Sequence, residues 1–448
     1  MIVFAIASRL CRLNGECVFF IRLVYFWQRH RMDTKRLNLS DSELRQIVND
    51  HFTTCDSADQ AYRIVQTALE PFSPCPEGFL ADHYALKVTI ERNGQTELLS
   101  FFVKCLPTEN PVLRSYLEEI GSFRKESSVL QRIVGSIQRH CPWRTVAPRV
   151  HLAVEEQLLV MNNLKSDGYS VVKREGGLLE VVFVHQALET LSNLHACSFV
   201  LEQKQGKRLP ELFPTVLNEN AWVQTSTSTR VKDVANVIKL YTELVKICDH
   251  WHGPRKQTIL ERLAPLIRKI YTYVEPSHEF RNCLNHGDLW CNNIMFKCDG
   301  QGQPIGCALV DYQLSRYVPP AYDINLLLYL TTSRQLRDEN LSVLLDHYYK
   351  CFVDTLERNQ VNASEIYPRE TFLRCCEHYR LAGLIHSTII SGEVTLPSKF
   401  LEEIFGDLQS TASFMPDTKV WICVKAFQAD ERYRKHLIEL LDELFAYV

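Results

Sequence analysis

The spacing of apolar positions changes character along the chain. From about Pro71 to Pro107 the apolar positions come in short runs set off by turn residues, a strand-and-turn region. Tyr84 to Ile90 and Thr96 to Val103 read as two antiparallel strands joined across Arg92-Asn93-Gly94, a sequence suited to a tight hairpin. Ahead of them, Ser40-Asp41-Ser42-Glu43 has the form of a capping box and opens a helix that runs toward Phe52. Behind them, Leu113, Tyr116, Leu117, Ile120, Phe123, Ser127, Leu130 and Val134 recur at helical spacing and predict one long amphipathic helix. Val146 to Val154 and Gln157 to Met161 predict two more strands, and from Glu180 helical spacing dominates, broken from Cys283 to Tyr312. Strands first and helices later predict an α+β chain in two unequal lobes. A small antiparallel-sheet lobe is expected over residues 37–164 and a large, mainly helical lobe over 165–448, with the junction near Met161 to Gly168.

Composition narrows the class. A chain of 448 residues that is 46% hydrophobic can bury a large core and is too long for one compact lobe. Fifty basic and 53 acidic residues give a net charge of −3, which lacks the electrostatic footprint of a nucleic-acid binder. The sixteen cysteines form no CxxC pair and no zinc-ligand spacing, and several sit in apolar runs as small hydrophobes. A reduced, cytoplasmic protein is expected rather than a secreted disulfide framework. Residues 1–36 read as an N-terminal extension. Its apolar patches, Ile2 to Ala7, Cys17 to Ile21 and Leu23 to Trp27, are interrupted by Arg9, Arg12, Glu16 and Arg22. None approaches the ~20 apolar residues of a spanning helix, so no stable transmembrane segment is expected. Two readings stand: translation from Met32, which makes the extension dispensable, or a weak membrane-surface segment rich in arginine.

The chemistry is concentrated in one stretch. His286-Gly287-Asp288-Leu289-Trp290-Cys291-Asn292-Asn293-Ile294-Met295-Phe296 is followed by the turn residues Asp299-Gly300-Gln301-Gly302-Gln303-Pro304. Then comes Ile305-Gly306-Cys307-Ala308-Leu309-Val310-Asp311-Tyr312-Gln313. This reads as a loop, a short hairpin, and a second acid at the end of an apolar strand. Phosphoryl transfer needs an acceptor oxygen held in line and metal ions that neutralise phosphate charge. A loop carboxylate can take the hydroxyl's proton, while an amide oxygen and a second carboxylate suit Mg²⁺, a hard cation that prefers oxygen ligands. Asp288, Asn293 and Asp311 supply those three groups.

The stretch resembles the catalytic and metal-binding loops of the choline kinase and aminoglycoside phosphotransferase superfamily, whose fold is protein-kinase-like. More narrowly, HGDLWxNNxxF followed by VDYQ resembles the ecdysteroid kinase-like family, and the likeness runs from about Leu37 over nearly the whole chain. The resemblance implies an ATP- and Mg²⁺-dependent phosphotransferase with an alcohol acceptor. It makes Asp288 the catalytic base or hydroxyl-orienting residue and Asn293 and Asp311 the metal ligands, with Asn292 a bystander. Lys104, at the end of Leu99-Ser100-Phe101-Phe102-Val103, would reach the α- and β-phosphates with Glu126 as its partner. Gly78 would lie in the phosphate loop, where Ala81 replaces a glycine often seen. Asn162 and Leu164 would offer adenine contacts from a hinge in which Asn162-Asn163 stand for the usual acidic pair.

His286 and His195 are expected to be structural, Trp290 to pack beneath the loop, and Asp323 to brace it. Gly287 stands where regulated protein kinases usually carry an arginine that binds an activation-loop phosphate, which implies a kinase without that switch. The expected acceptor is a small, apolar alcohol such as an ecdysteroid or another steroid-like or xenobiotic alcohol. Leu381, Ile385, Ile389 and Phe400 are read as ordinary core on the helices that would build its pocket. No protein partner is implied. Two alternatives stay open: a choline-, ethanolamine- or aminoglycoside-type kinase, and a catalytically inactive kinase fold that serves as a binding protein.

Overall fold

The computed structural model describes residues 37, 39–53, 61–72, 81–107, 111–154, 157–172, 178–225, 228, 230–400 and 416–448. Gly78 and residues 1–36 fall outside that set. Contacts divide the chain into two compact units, one of residues 1–108 with 149–167 and the other of 109–148 with 168–448.

Among the described residues, the first unit is a five-stranded antiparallel sheet, ordered β1-β2-β3-β5-β4, with a helix against it. Its strands are β1 (Tyr62–Pro71), β2 (Asp82–Arg92), β3 (Gln95–Cys105), β4 (Val150–Val154) and β5 (Leu158–Asn162). The β2–β3 turn is the two-residue Asn93-Gly94, both at positive φ (52° and 72°), which matches the right-handed twist of the strands it joins. Alternation along β2 buries Tyr84, Leu86, Val88 and Ile90 on one face. Helix α1 (Asp41–Phe52) starts at the expected capping box and lays Leu44, Ile47, Val48 and Phe52 into the same core. Asp50 ties it to the sheet through Arg149 (2.6 Å) and His151 (2.8 Å). Strand β1 was not among the predicted elements, because exposed and half-buried residues dominate it and only Leu69 is buried.

The second unit is mainly helical. The predicted continuous helix from Leu113 to Val134 is instead broken. Helix α2 (Pro111–Ile120) stops at Gly121, whose left-handed backbone (φ 61°) interrupts the ladder. Helix α3 (Ser122–Ser128) restarts it and runs into a π-helical turn, Val129–Val134. The buried positions Leu117, Ile120, Phe123, Leu130 and Val134 are those the spacing picked out; only the continuity fails.

Helix α4 (Val181–Gln205) packs along α5 (Arg334–Arg358), and α6 (Ala321–Thr331) packs on α7 (Arg380–Val394). All eleven residues of α6 are buried, Asp323 and Asn325 among them. Leu381, Ile385, Ile389 and Phe400 are likewise buried. Among the described residues the unit also holds two small sheets: β7 (Cys283–Asn285) with β10 (Arg316–Val318), and β6 (Tyr169–Val171), β8 (Ile294–Cys298) and β9 (Pro304–Leu309) in the order β6-β8-β9. Among the described residues no helix is long and apolar enough to cross a membrane.

Candidate active site

The hairpin β8–β9 is what gathers the polar residues. Strand β7 leads into the loop that carries Asp288, and a single 3₁₀ turn, Cys291–Asn293, feeds β8. Antiparallel pairing from Ile294↔Leu309 to Cys298↔Pro304 returns the chain beside its start. The Val310 N–H then donates to the Asn293 carbonyl (3.0 Å), one residue before Asp311. Strand β10 pairs back onto β7, with Arg316 opposite Asn285. The loop, the hairpin and the second acid therefore form one closed circuit.

Within it, Asn293 Nδ2 donates to both the Asp288 carbonyl (2.9 Å) and Asp288 Oδ2 (3.0 Å). Both partners are acceptors, so the amide must present its NH₂ to them, and Oδ1 points elsewhere. Asp288 is buried, and burial raises its carboxyl to about 7. The negative charge of Asp311 adds to that rise, while Asn293, Arg316 and Gln313 oppose it. Asp311 sits at φ 70°, ψ 67°, a left-handed backbone that is uncommon for a residue with a side chain and concentrates at functional sites. Its Oδ2 accepts from Gln313 Nε2 (3.3 Å). Asn292, by contrast, is exposed, and Trp290 is half-buried.

Asp323 braces the loop from α6. Its carboxylate accepts from the backbone N–H of His286 (2.5 Å) and of Gly287 (2.9 Å), and its own N–H donates to Asn285 Oδ1 (3.1 Å). His195 supports it from behind, with Nε2 3.4 Å from Asp323 Oδ2 and Nδ1 2.7 Å from the Tyr348 hydroxyl. His286 bonds loop backbone on both ring nitrogens: Nε2 donates to the Val310 carbonyl (2.9 Å) and Nδ1 accepts from the Asp288 N–H (3.3 Å). Burial lowers its pKa and keeps the ring neutral, as that donor–acceptor pattern requires. The expectation of structural histidines and a bracing acid agrees with this geometry.

Gly287 has a steric reason of its own. Its φ is 79°, and a Cβ added there would meet the Leu314 carbonyl oxygen at 2.2 Å. The same Cβ would lie 3.5 Å from the guanidinium carbon of Arg316. The positive charge beside the loop that carries Asp288 thus comes from β10 and not from position 287.

Arg316 heads a buried network that the sequence reading missed. It pairs with Glu219 (Nε to Oε2, 3.0 Å) and donates to the Tyr322 hydroxyl (2.5 Å). Burial drives the Glu219 carboxyl upward, but the charges of Arg316 and Lys125 outweigh it and hold the group below its ordinary value. Lys125 Nζ donates to the Asn218 carbonyl (2.6 Å) and Asn220 Oδ1 (2.9 Å), and Asn220 Nδ2 reaches the Gln313 carbonyl (3.3 Å). The segment 218–222 is thereby pinned to the residues that follow Asp311. Charged residues at 125, 219 and 316 are some 90 positions apart, and no local spacing links them.

The remaining predicted residues lie elsewhere. Lys104 is buried near the end of β3, opposite His83 on β2 and Leu159 on β5, in the interior of the first unit's sheet. Asn162 ends β5 and pairs with Phe101, and its N–H donates to the Arg149 carbonyl (3.0 Å). Leu164 is buried just beyond it. Asn163, in the place of an expected acid, caps the turn after β5: Oδ1 accepts from the Ser166 N–H (3.4 Å) and Nδ2 donates to Ser100 (2.9 Å). Glu126 is buried on α3 of the second unit. Gly78 lies outside the described residues.

Sheet unit, helical unit and hairpin-borne polar loop together define a kinase-like fold. The chain belongs to the ecdysteroid kinase-like family, whose sequence profile matches residues 76–361. No curated protein is significantly similar to it in sequence. Among solved structures, it is similar to an ethanolamine kinase from Plasmodium vivax, at 12% identity over 87% of this chain and 89% of that one, with a TM-score of 0.36. A choline kinase from Cryptosporidium parvum Iowa II is 11% identical over 90% and 99% of the two chains, with a TM-score of 0.40. The GDP complex of aminoglycoside 2'-phosphotransferase-IIIa is 12% identical over 89% and 99%, with a TM-score of 0.32.

Proposed function

We propose that the chain is an ATP-dependent small-molecule kinase that phosphorylates a hydroxyl of a small, largely apolar alcohol, such as an ecdysteroid or another steroid-like or xenobiotic alcohol. The observation that carries this reading is the buried contact between Asp288 and Asn293, set beside Asp311 by the β8–β9 hairpin. Asp288 takes the proton of the acceptor hydroxyl. The hydroxyl oxygen forms a bond to the γ-phosphorus as the bond from that phosphorus to the β–γ bridging oxygen breaks. The bonding pair leaves on ADP. A carboxyl raised to about 7 suits a base that must first hold and then release a proton near neutral pH.

The donor set suits Mg²⁺. The NH₂ of Asn293 is committed to Asp288, which leaves Oδ1 for a cation, and Asp311 adds a carboxylate. Among the described residues no three or more His, Cys, Asp or Glu side chains cluster as a ready-made metal cage. That fits an ion that uses one or two protein ligands and takes the rest from phosphate and water. Bound there, the metal would neutralise phosphate charge. By resemblance, Lys104, Glu126, Asn162 and Leu164 are assigned to the nucleotide, Lys104 to its α- and β-phosphates and Asn162 and Leu164 to its adenine. Gly78 belongs to the phosphate loop by resemblance alone. A cytoplasmic location accords with twelve described cysteines that are all free thiols.

Thermal unfolding with Mg·ATP checks the nucleotide half of this reading. At a hundred times its dissociation constant, a ligand specific to the folded state stabilises it by about 2.7 kcal/mol. The wild type should show an upward shift in Tm that EDTA abolishes, and Asp311→Asn should lose most of it. Equal shifts in wild type and variant would remove Asp311 from the metal site. No shift in the wild type at millimolar Mg·ATP would favour the binding-protein alternative.

A further inference from the structure

Among the buried N–H donors of the second unit that have no hydrogen-bond acceptor among the described residues, Trp222 Nε1 and His386 Nε2 stand together. They are neighbours, with ring centroids 5.2 Å apart and planes at 86°. An edge-to-face pair aims at most one of its N–H groups at the other ring, so at least one donor is left without any partner. The proton on His386 Nε2 follows from the network. Arg316 can only donate to the Tyr322 oxygen, so the Tyr322 O–H donates to His386 Nδ1, 2.8 Å away. Nδ1 is then the acceptor, and the neutral ring carries its hydrogen on Nε2. Burial, helped by the Arg316 charge, keeps the His386 pKa well below its usual value and the ring neutral.

The position of the pair matters as much as its chemistry. His386 is two hydrogen bonds from Arg316, and Arg316 lies against Gly287, the residue before Asp288. Trp222 closes the segment that Lys125, Asn220 and Glu219 pin beside Gln313 and Arg316, and Glu219 accepts the Trp222 backbone N–H (3.0 Å). An orphaned buried donor costs the fold free energy unless an acceptor is supplied.

We propose that Trp222 and His386 form an oxygen-recognition subsite for the phosphoryl acceptor, selecting a neutral molecule with a second oxygen, carbonyl or hydroxyl, besides the one phosphorylated. This rests on the kinase reading above and deepens it. An N–H dipole attracts an electron-rich oxygen and gives a quaternary ammonium or a protonated amine nothing to bind, while the Arg316 charge is balanced by Glu219. The subsite therefore disfavours choline, ethanolamine and aminoglycosides. Trp222 and His386 act on acceptor choice and take no part in nucleotide binding.

Indole ¹⁵N–¹H spectra of the full chain test this directly. The chain has six tryptophans, and the Trp222 signal is the one lost in Trp222→Phe, which deletes the N–H and keeps an aromatic ring. The probes are a hydroxy-ketone steroid, its monohydroxy analogue without the ketone, and choline. The hydroxy-ketone should move the Trp222 indole proton downfield. Trp222→Phe should weaken its binding about 10-fold, while binding of the monohydroxy analogue and of Mg·ATP stays the same. A Trp222 signal silent to all three probes would overturn the subsite whether or not phosphate is transferred, leaving a trapped water as the donors' partner. An equal response to choline would overturn the selection of neutral acceptors. Failure of the kinase reading looks different: no Mg·ATP binding and no transfer to any hydroxyl, with the Trp222 response to the hydroxy-ketone intact.

Discussion

Asp288→Asn should lower phosphate transfer by about 10³-fold or more, the upper part of the range for a positioned general base. The amide is nearly isosteric and keeps an oxygen for Asn293 Nδ2, so the loop geometry of 2.9 and 3.0 Å contacts has no reason to change. What it lacks is the ability to accept a proton at the reacting oxygen. The substitution also removes a buried carboxyl whose pKa burial and Asp311 raise, so folding should be unharmed. Mg·ATP should still raise Tm in the variant. Retention of near-wild-type turnover would take the proton-accepting role away from Asp288.

Gly287→Ala should be the costliest single methyl in the loop. It combines two penalties, a left-handed backbone at φ 79° and a Cβ 2.2 Å from the Leu314 carbonyl oxygen. Together these cost about 2–6 kcal/mol, since strained backbone and overpacking each contribute roughly 1–3. The Leu314 carbonyl belongs to backbone and cannot swing away as a side-chain tip would. Relief requires the Asp288 loop to separate from the segment after Asp311, so on the proposed reading transfer should fall together with Tm. Gly94→Ala is the matched control: its φ is 72°, but nothing lies within 4 Å of the added methyl. It should cost only the backbone term, about 1–2 kcal/mol, and leave transfer unchanged. Equal Tm losses in the two variants would show that the Leu314 contact contributes nothing.

Much of the scaffold was legible because it is encoded locally. The Ser40 capping box, the Asn93-Gly94 hairpin and the helix after Glu180 each follow from a few adjacent residues, and each occurs where expected. The polar loop was legible for the same reason: Asp288 and Asn293 share one turn, and a short hairpin brings Asp311 back. Strand β1 was hidden because its burial is too weak to write a period-two pattern into the sequence. The break at Gly121 was hidden because apolar spacing continues across it, although a glycine inside a helical pattern is itself a signal of interruption.

The Arg316–Glu219–Lys125 network lay out of reach for a different cause. Lys125 meets Asn218 across 93 residues and Arg316 meets Glu219 across 97, and a charged residue gives no local sign that it will be buried. Only the fold reveals that Arg316, and not residue 287, supplies the charge beside the loop that carries Asp288. The orphaned donors of Trp222 and His386 are visible for the same reason alone.

On the proposed reading, Asn293 and Asp311 hold the metal of a bound nucleotide beside Asp288. Crystals grown with Mn²⁺ and a non-hydrolysable ATP analogue test it most directly through the anomalous signal of manganese. A peak about 2.1 Å from both Asn293 Oδ1 and an Asp311 carboxylate oxygen is the predicted result. Nucleotide bound with manganese held by other residues, or with no peak at this pair, would contradict it.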